Sequence, residues 1–150
     1  MLSTPPISQQ NPLWQRIQTS LERQGLMTHL GTRLLRVEKG LVELALPYSD
    51  KVTQQQGGFH GGAIGALADI AAGYAGLSTL ADDMEVVTVE YKINFLNACR
   101  GGELRAVGRA VKTGRRVIVT TADVVHIDET GQQNPCAIMQ QTLASVPKTY

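Results

Sequence analysis

The chain has 150 residues, of which 43% are hydrophobic and 18% are charged, so it is long enough to bury the core of one domain. Its formal net charge of +1 gives no strong field for a nucleic acid or an anionic membrane. We therefore expect a single domain over residues 1–150 that binds neither nucleic acid nor membrane.

The two cysteines, Cys99 and Cys136, stand alone, without the spacing of a zinc site or a disulfide framework. We expect no metal and two reduced thiols, which are typical of a cytoplasmic protein. Residues 1–10 have neither a basic start nor an apolar core. They are predicted to be a flexible lead-in rather than a signal peptide.

The first predicted element is a helix over residues 12–24. Asn11 and Pro12 suit its N-cap and first position, and Gly25 is predicted to end it. Residues 28–47 alternate between apolar and polar side chains around Lys39-Gly40, which predicts a β-hairpin with its turn at that pair. Residues 49–59, "SDKVTQQQGGF", are polar and glycine-rich and are predicted to form a loop.

A long helix is predicted next, from about His60 to Leu80. After this helix, apolar residues recur at every second position, which is typical of β-strands. The pattern predicts a strand over residues 85–96, a pair of strands over 102–128 joined at Thr113-Gly114, and a last strand over 135–146. This order predicts an α+β domain in which an antiparallel sheet covers one central helix.

The long helix carries one acidic residue, Asp69, among alanine, glycine and aliphatic side chains. At 100° per residue its large side chains share one side, and we expect them to pack against the sheet. They are Ile64, Leu67, Ile70, Tyr74 and Leu77. Asp69 lies on the other side, among Gly62, Gly65, Ala66, Ala72, Gly73 and Gly76. That small face would admit a partner backbone, another helix or a ligand, and tight packing alone is the alternative explanation.

The start of this helix, "FHGG", exposes backbone N–H groups beside residues with little side-chain bulk, which suits an anion or a developing oxyanion. His60 and Asp69 are nine residues apart, about 13 Å along the helix axis and on opposite sides of it. If both ends serve one site, they must come from different subunits. The pattern therefore predicts a symmetric dimer with two interfacial sites.

The run "FHGGAIGALAD", residues 59–69, resembles the signature of hotdog-fold acyl-CoA thioesterases of the PaaI (phenylacetate-pathway) type. The resemblance extends over residues 30–146. It implies the hotdog fold, in which an antiparallel sheet wraps around one long helix. It also implies hydrolysis of a small-molecule acyl-CoA without an added cofactor, by a homodimer with shared active sites that often pairs into a homotetramer.

The resemblance also implies catalytic roles for residues of this sequence. The Gly61 N–H would bind the oxyanion in a turn shaped by His60, and Asp69 of the partner subunit would act as base or nucleophile. Thr88 would help to hold the attacking water. The family often places an amide side chain in the loop before the helix, where Gln54 has the usual spacing and Gln55 and Gln56 compete with it.

For substrate binding, the resemblance matches the turn from Lys112 to Arg116 to a loop that contacts the nucleotide end of coenzyme A. Three cations crowded around one glycine suit a phosphate group, although they also suit a solvated hairpin. The expected substrate-binding residues are Gly62, Phe95, Lys112, Gly114, Arg115 and Arg116.

Two other functions stay open at this point. Hydratases and dehydratases of the same fold use a His and an acid on different elements, whereas the positioned acid here lies in the helix, which favours hydrolysis. A non-catalytic acyl-CoA binding protein would keep the pocket and the basic turn but would not need Asp69. The small residues beside Asp69 leave room for an aromatic or medium-chain acyl group.

Overall fold

The computed structural model describes residues 9–150, so the predicted lead-in lies outside the described residues except for residues 9 and 10. Helix α1 spans Pro12–Glu22, where a helix over 12–24 was expected, and Asn11 Oδ1 caps it by accepting from Leu13 N at 2.9 Å. α1 thus ends before Gly25, the residue expected to close it, and Gly25 itself begins a second, unexpected helix, α2. Helix α2 runs over Gly25–Leu30 and ends at Gly31 in the left-handed conformation.

The rest of the chain is one antiparallel sheet and one long helix, which confirms the predicted α+β hotdog fold. The strands are β1 (Arg33–Glu38), β2 (Leu41–Pro47), β3 (Met84–Phe95), β4 (Glu103–Thr113), β5 (Val117–Ile127) and β6 (Gln133–Pro147). Their order in the sheet is β1-β2-β4-β5-β6-β3. The central helix, α3, spans Gly61–Leu77. None of the helices in residues 9–150 is long and apolar enough to span a membrane.

Helix α3 lies on the sheet with its glycine-rich face against the strands. A Cβ atom on Gly76 would stand 2.5 Å from Leu143 Cδ1 of β6, and one on Gly108 of β4 would collide with the carbonyl of Ala71. The prediction that the large side chains face the sheet is therefore wrong for Tyr74, whose hydroxyl donates to Ser20 Oγ of α1 at 3.0 Å. A sheet that wraps closely around a helix requires a helix face without bulk.

Strand β3 lies at one edge of the sheet. Within residues 9–150 it pairs only with β6, so its other side carries free backbone N–H and C=O groups. Several of its apolar side chains are exposed, among them Val87 (52%), Val89 (61%) and Phe95 (53%). A long apolar edge of this kind is suited to pairing with another chain.

Candidate active site

Asp69 is held by side chains from two strands. Its Oδ1 accepts a hydrogen bond from Thr88 Oγ1 of β3 at 2.8 Å and another from Gln141 Nε2 of β6. Gln141 is fully buried, and its Oε1 accepts from Thr120 Oγ1 of β5 at 2.9 Å. Asp69 Oδ2 accepts no hydrogen bond from residues 9–150. The network fixes the orientation of the carboxylate and leaves one oxygen available to react.

Thr88 lies beside Asp69, but the sequence reasoning missed Gln141 and Thr120. For Thr120 a signal was present in the sequence, whereas for Gln141 the alternation of the strand leaves open which of two adjacent glutamines faces inward. In β6 the inward positions run Ala137, Met139, Gln141 and Leu143, and in β5 they run Ile118, Thr120, Ala122 and Val124. In each strand a polar side chain interrupts an apolar row, and such a residue needs a buried partner.

The start of α3 presents an unused hydrogen-bond donor. His60 caps the helix, because its Nδ1 accepts from Gly62 N at 2.7 Å. The Gly61 N–H has no acceptor within residues 9–150. The ring of Phe95 covers Gly61 so closely that a Cβ there would stand 3.3 Å from Phe95 Cζ. The helix therefore begins with a free donor beside an aromatic ring.

Of the three glutamines in the preceding loop, Gln54 is half-buried, whereas Gln55 and Gln56 are exposed. Gln54 Oε1 accepts from the backbone N of Gln56, and Gln54 N donates to Gly58 O at 2.9 Å. In the described chain its hydrogen bonds all fall within residues 54–58, so it stabilises the loop and reaches neither Gly61 nor Asp69.

One chain does not bring Gly61 and Asp69 together. They stand eight residues apart on the continuous helix α3, which corresponds to about 12 Å of rise. Each chain thus presents a free N–H at one end of the helix and a hydrogen-bonded acid near its middle.

The turn at residues 112–116, called the basic turn here, joins β4 to β5. Lys112, Arg115 and Arg116 are exposed there, and within residues 9–150 they form no salt bridge. The three cations border a shallow cavity of about 540 Å³ that also touches Val117 and Val119. Ser145 Oγ donates to Arg115 O at 2.7 Å, which anchors the turn to β6. Ser145 lies four residues beyond Gln141, about 13 Å along the strand.

A second cavity, of about 390 Å³, opens beside Asp69 between α1, α3 and β3. Tyr74 lines it, and its hydroxyl accepts from Gln24 Nε2 at 2.7 Å while donating to Ser20 Oγ. Burial raises the pKa of Tyr74 to about 12, so the phenol remains protonated at neutral pH. In the described part of the chain, no group of three His, Cys, Asp or Glu side chains is placed to hold a metal ion.

Comparison with known proteins relates the chain to thioesterases. Residues 56–131 match the family model described as the thioesterase superfamily. The crystal structure of a thioesterase family protein from Silicibacter pomeroyi has a TM-score of 0.87 at 35% identity and covers 91% of this chain and 99% of that one. The proofreading thioesterase EntH of Cronobacter turicensis is 32% identical over 72% of this chain and 77% of its own length. The PaaI protein of E. coli, from the phenylacetic acid degradation operon, has a TM-score of 0.79 and covers 91% of this chain and 95% of that one; at 20% identity it supports the fold alone.

Proposed function

The chain belongs to the thioesterase superfamily and is a thioester hydrolase, and we propose that its substrate is an acyl-CoA, with Asp69 as the base or nucleophile. The observation that carries the proposal is the carboxylate of Asp69, which is held on one oxygen, free on the other, and set in the wall of a cavity. This is the arrangement required of a group that must attack, or activate water beside, a bound carbonyl.

The reaction needs two functional groups from the protein: a donor for the oxyanion, and a base or nucleophile. The Gly61 N–H would stabilise negative charge on the carbonyl oxygen, typically for a factor of about 10²–10³ in rate per donor. Asp69 would either take a proton from the attacking water or attack the carbonyl carbon itself to form a mixed anhydride. In the first route Asp69 passes the proton taken from water to the sulfur as the carbon–sulfur bond breaks, and coenzyme A leaves as the thiol. In the second route coenzyme A leaves as the thiolate, which solvent protonates, and water then hydrolyses the anhydride to release the acid and restore the Asp69 carboxylate. We propose no cofactor for either route.

The Gly61 N–H and the Asp69 carboxylate of one site would come from different subunits of a homodimer. Suppose that a second copy pairs antiparallel along the free edge of β3, with the two-fold axis between Tyr91 and Lys92. Thr88 of one chain would then lie opposite Phe95 of the other. Since Thr88 contacts Asp69 and Phe95 covers Gly61, each acid would approach the other chain's helix start. The exposed apolar edge of β3 supports this pairing, and two such dimers would form the tetramer.

The basic turn would hold the phosphates of coenzyme A. Its three cations are exposed, clustered and unpaired within residues 9–150, and the turn is fixed to β6 by Ser145. A cluster of this kind favours a phosphorylated ligand over a simple ester. The reduced thiols Cys99 and Cys136 fit a cytoplasmic enzyme, where acyl-CoA is the expected thioester.

Substitution of Asp69 tests the proposed chemistry. Asp69→Asn keeps the size and the acceptor oxygen, so the fold should survive while kcat falls by about 100-fold or more. Thiol release from a small acyl-CoA panel measures the rate, and Asp83→Asn, in the exposed loop after α3, is the matched control. Near-normal turnover in Asp69→Asn would remove the residue from the mechanism.

The same assay separates the two alternative functions. Tight binding of acyl-CoA by the native chain without thiol release would support a binding protein, and hydration of an enoyl-CoA would support a hydratase.

A further inference from the structure

Strand β3 places a second hydroxyl on the helix near Asp69. A Cβ atom on Gly65 would stand 3.2 Å from the Tyr91 hydroxyl oxygen, Oη, so the phenol reaches the helix where α3 has no side chain. Gly65 lies four residues before Asp69, which is one helical turn, or about 6 Å along the axis. Since residues four apart share a helix face, Tyr91 Oη and the carboxylate of Asp69 stand on the same side of α3.

The hydroxyl of Tyr91 is not used by the fold. The other three tyrosine hydroxyls each donate a hydrogen bond, to Gly57 O, Ser20 Oγ and Glu85 Oε2, whereas that of Tyr91 has no partner in the described part of the chain. A phenol is both a donor and an acceptor. Tyr91 is therefore ready to bind a molecule that this chain does not supply.

A β-bulge turns Tyr91 towards α3. Successive side chains of a regular strand point to opposite faces, so residues 88 and 91, three apart, would normally face opposite sides. The pairing of β3 with β6 shifts in register between Thr88 and Glu90. As a result Thr88 lies opposite Leu143 and Tyr91 opposite Gln141, and both of these partners are buried. The bulge thus brings two hydroxyls to the helix side of the sheet, as bulges beside active sites do when they re-aim a side chain.

The first of these hydroxyls is already occupied. Thr88 was expected to help hold the attacking water, but its hydrogen is donated to Asp69 Oδ1 and its oxygen accepts from Gln141 Nε2 at 3.3 Å. Its donor is therefore committed to orienting the acid. Asp69 Oδ2 receives no donor from residues 9–150, so a water bound there needs its second contact from another side chain.

We propose that Tyr91 Oη and Asp69 Oδ2 of one chain hold the attacking water between them. Two hydrogen bonds through one water oxygen span about 4.5 to 5.5 Å, which is close to the rise of one helical turn. The water donates one hydrogen to each oxygen, so a lone pair is free to attack the carbonyl carbon. Asp69 takes its hydrogen as a proton and passes it to the sulfur as the carbon–sulfur bond breaks, while the other hydrogen stays on the acid formed. The inference depends on the proposed acyl-CoA hydrolysis and makes Asp69 its base.

The proposed dimer would shield this water from bulk solvent. Tyr91 lies beside the proposed two-fold axis, and a second chain would cover the part of the residue that is exposed in one chain, 41%. The carbonyl carbon would then meet one oriented water, as general-base catalysis requires.

Removal of the hydroxyl tests the inference. Tyr91→Phe keeps the ring and deletes only an oxygen without a partner in the fold, so the variant should fold normally. We expect kcat for benzoyl-CoA and hexanoyl-CoA to fall by about tenfold, the factor given by roughly one net hydrogen bond, with little change in KM. Glu90→Gln, whose side chain contacts Thr142 instead of α3, is the control and should keep the native kcat. An unchanged kcat in Tyr91→Phe overturns the inference.

A competing nucleophile separates a held water from a structural role. Hydroxylamine attacks a thioester through its own nitrogen, and the products are a hydroxamic acid and the thiol. After subtraction of the reaction without protein, the ratio of hydroxamic to carboxylic acid should rise by about tenfold in Tyr91→Phe, because only the reaction with water has lost a contact. If kcat falls but this ratio stays at the native value, Tyr91 affects both nucleophiles alike and the inference is wrong.

The failure of the inference can be told apart from that of the proposed function. Hydrolysis at equal rates by the native chain and Tyr91→Phe overturns the inference and leaves the function standing. Near-normal turnover in Asp69→Asn, or no thiol release from any acyl-CoA tested, overturns the proposed function and the inference with it.

Discussion

At the scale of single residues, the orientation of Asp69 depends on Gln141. A carboxylate with one donor can rotate, whereas Gln141 and Thr88 together hold the same oxygen and leave the other without a donor from residues 9–150. Gln141 is itself fixed by the buried hydroxyl of Thr120. Three strands, β3, β5 and β6, thus contribute one side chain each to the position of a single acid, so that the sheet as a whole sets its geometry.

We predict that Gln141→Leu lowers kcat by about 10- to 100-fold and changes KM little, because substrate binding does not require the lost donor. Gln141→Glu should shift the acidic limb of the pH–rate profile to higher pH, since two adjacent carboxylates resist being ionised together. Steady-state kinetics across pH measures both effects. Gln140→Leu, one residue earlier on the opposite, exposed face of β6, is the control. An unchanged kcat in a folded Gln141→Leu variant would contradict the positioning role.

At the scale of elements, the β4–β5 hairpin presents the basic turn as a separate module. We predict that an Arg115→Ala/Arg116→Ala variant raises KM for acyl-CoA by about tenfold and weakens its dependence on salt. A short thioester that lacks the nucleotide should respond little, because it offers no phosphate to the turn. Arg109→Ala, exposed on β4 of the same hairpin, is the control. An equal response of both substrates would show that the turn only maintains structure.

The local sequence pattern predicted most of the helices and strands, but it did not predict which side chains of α3 pack on the sheet. The turn at Lys39-Gly40 and the β4–β5 turn near Gly114 follow from residues that favour turns, and both lie where expected. The side chain of Tyr74 was assigned to the sheet because amphipathicity normally directs large side chains inward. Here the sheet lies so close to α3 at Gly76 and Gly108 that only small residues fit there, and Tyr74 packs on α1 instead. The distance between α3 and the sheet depends on tertiary packing, and the spacing of apolar residues along the helix does not determine it.

The same limit applies to the candidate site. The helix signature pointed to Asp69 and Gly61 because both lie in one short segment with an unusual composition. Gln141 belongs to a strand whose alternation allows either of two adjacent glutamines to face inward. The β-bulges in β5–β6 and β3–β6 pairing set the register there, and they leave no clear mark in the sequence.

At the scale of the whole molecule, a dimer that shares its sites should show complementation. We predict that Asp69→Asn and Gly61→Val chains, each nearly inactive alone, regain activity when mixed, because a heterodimer has one intact site out of two. The valine would crowd Phe95 and the oxyanion donor, so its effect belongs to the helix start. Mass spectrometry would verify subunit exchange, and thiol release would report recovery. Verified exchange without any recovery would place the site within one chain.

Helix α1 is attached to the segment between α3 and β3 through Arg16, whose guanidinium donates to Leu80 O, Ala81 O and Met84 O. Asp69 on α3 and Thr88 on β3 lie inside residues 56–131, the segment that matches the family model, whereas Arg16 lies well before it. A helix outside the matched segment therefore holds the connection between the two elements that carry Asp69 and Thr88. A chain shortened at its N-terminus would keep every residue named in the proposed chemistry and still lose the support that sets their spacing.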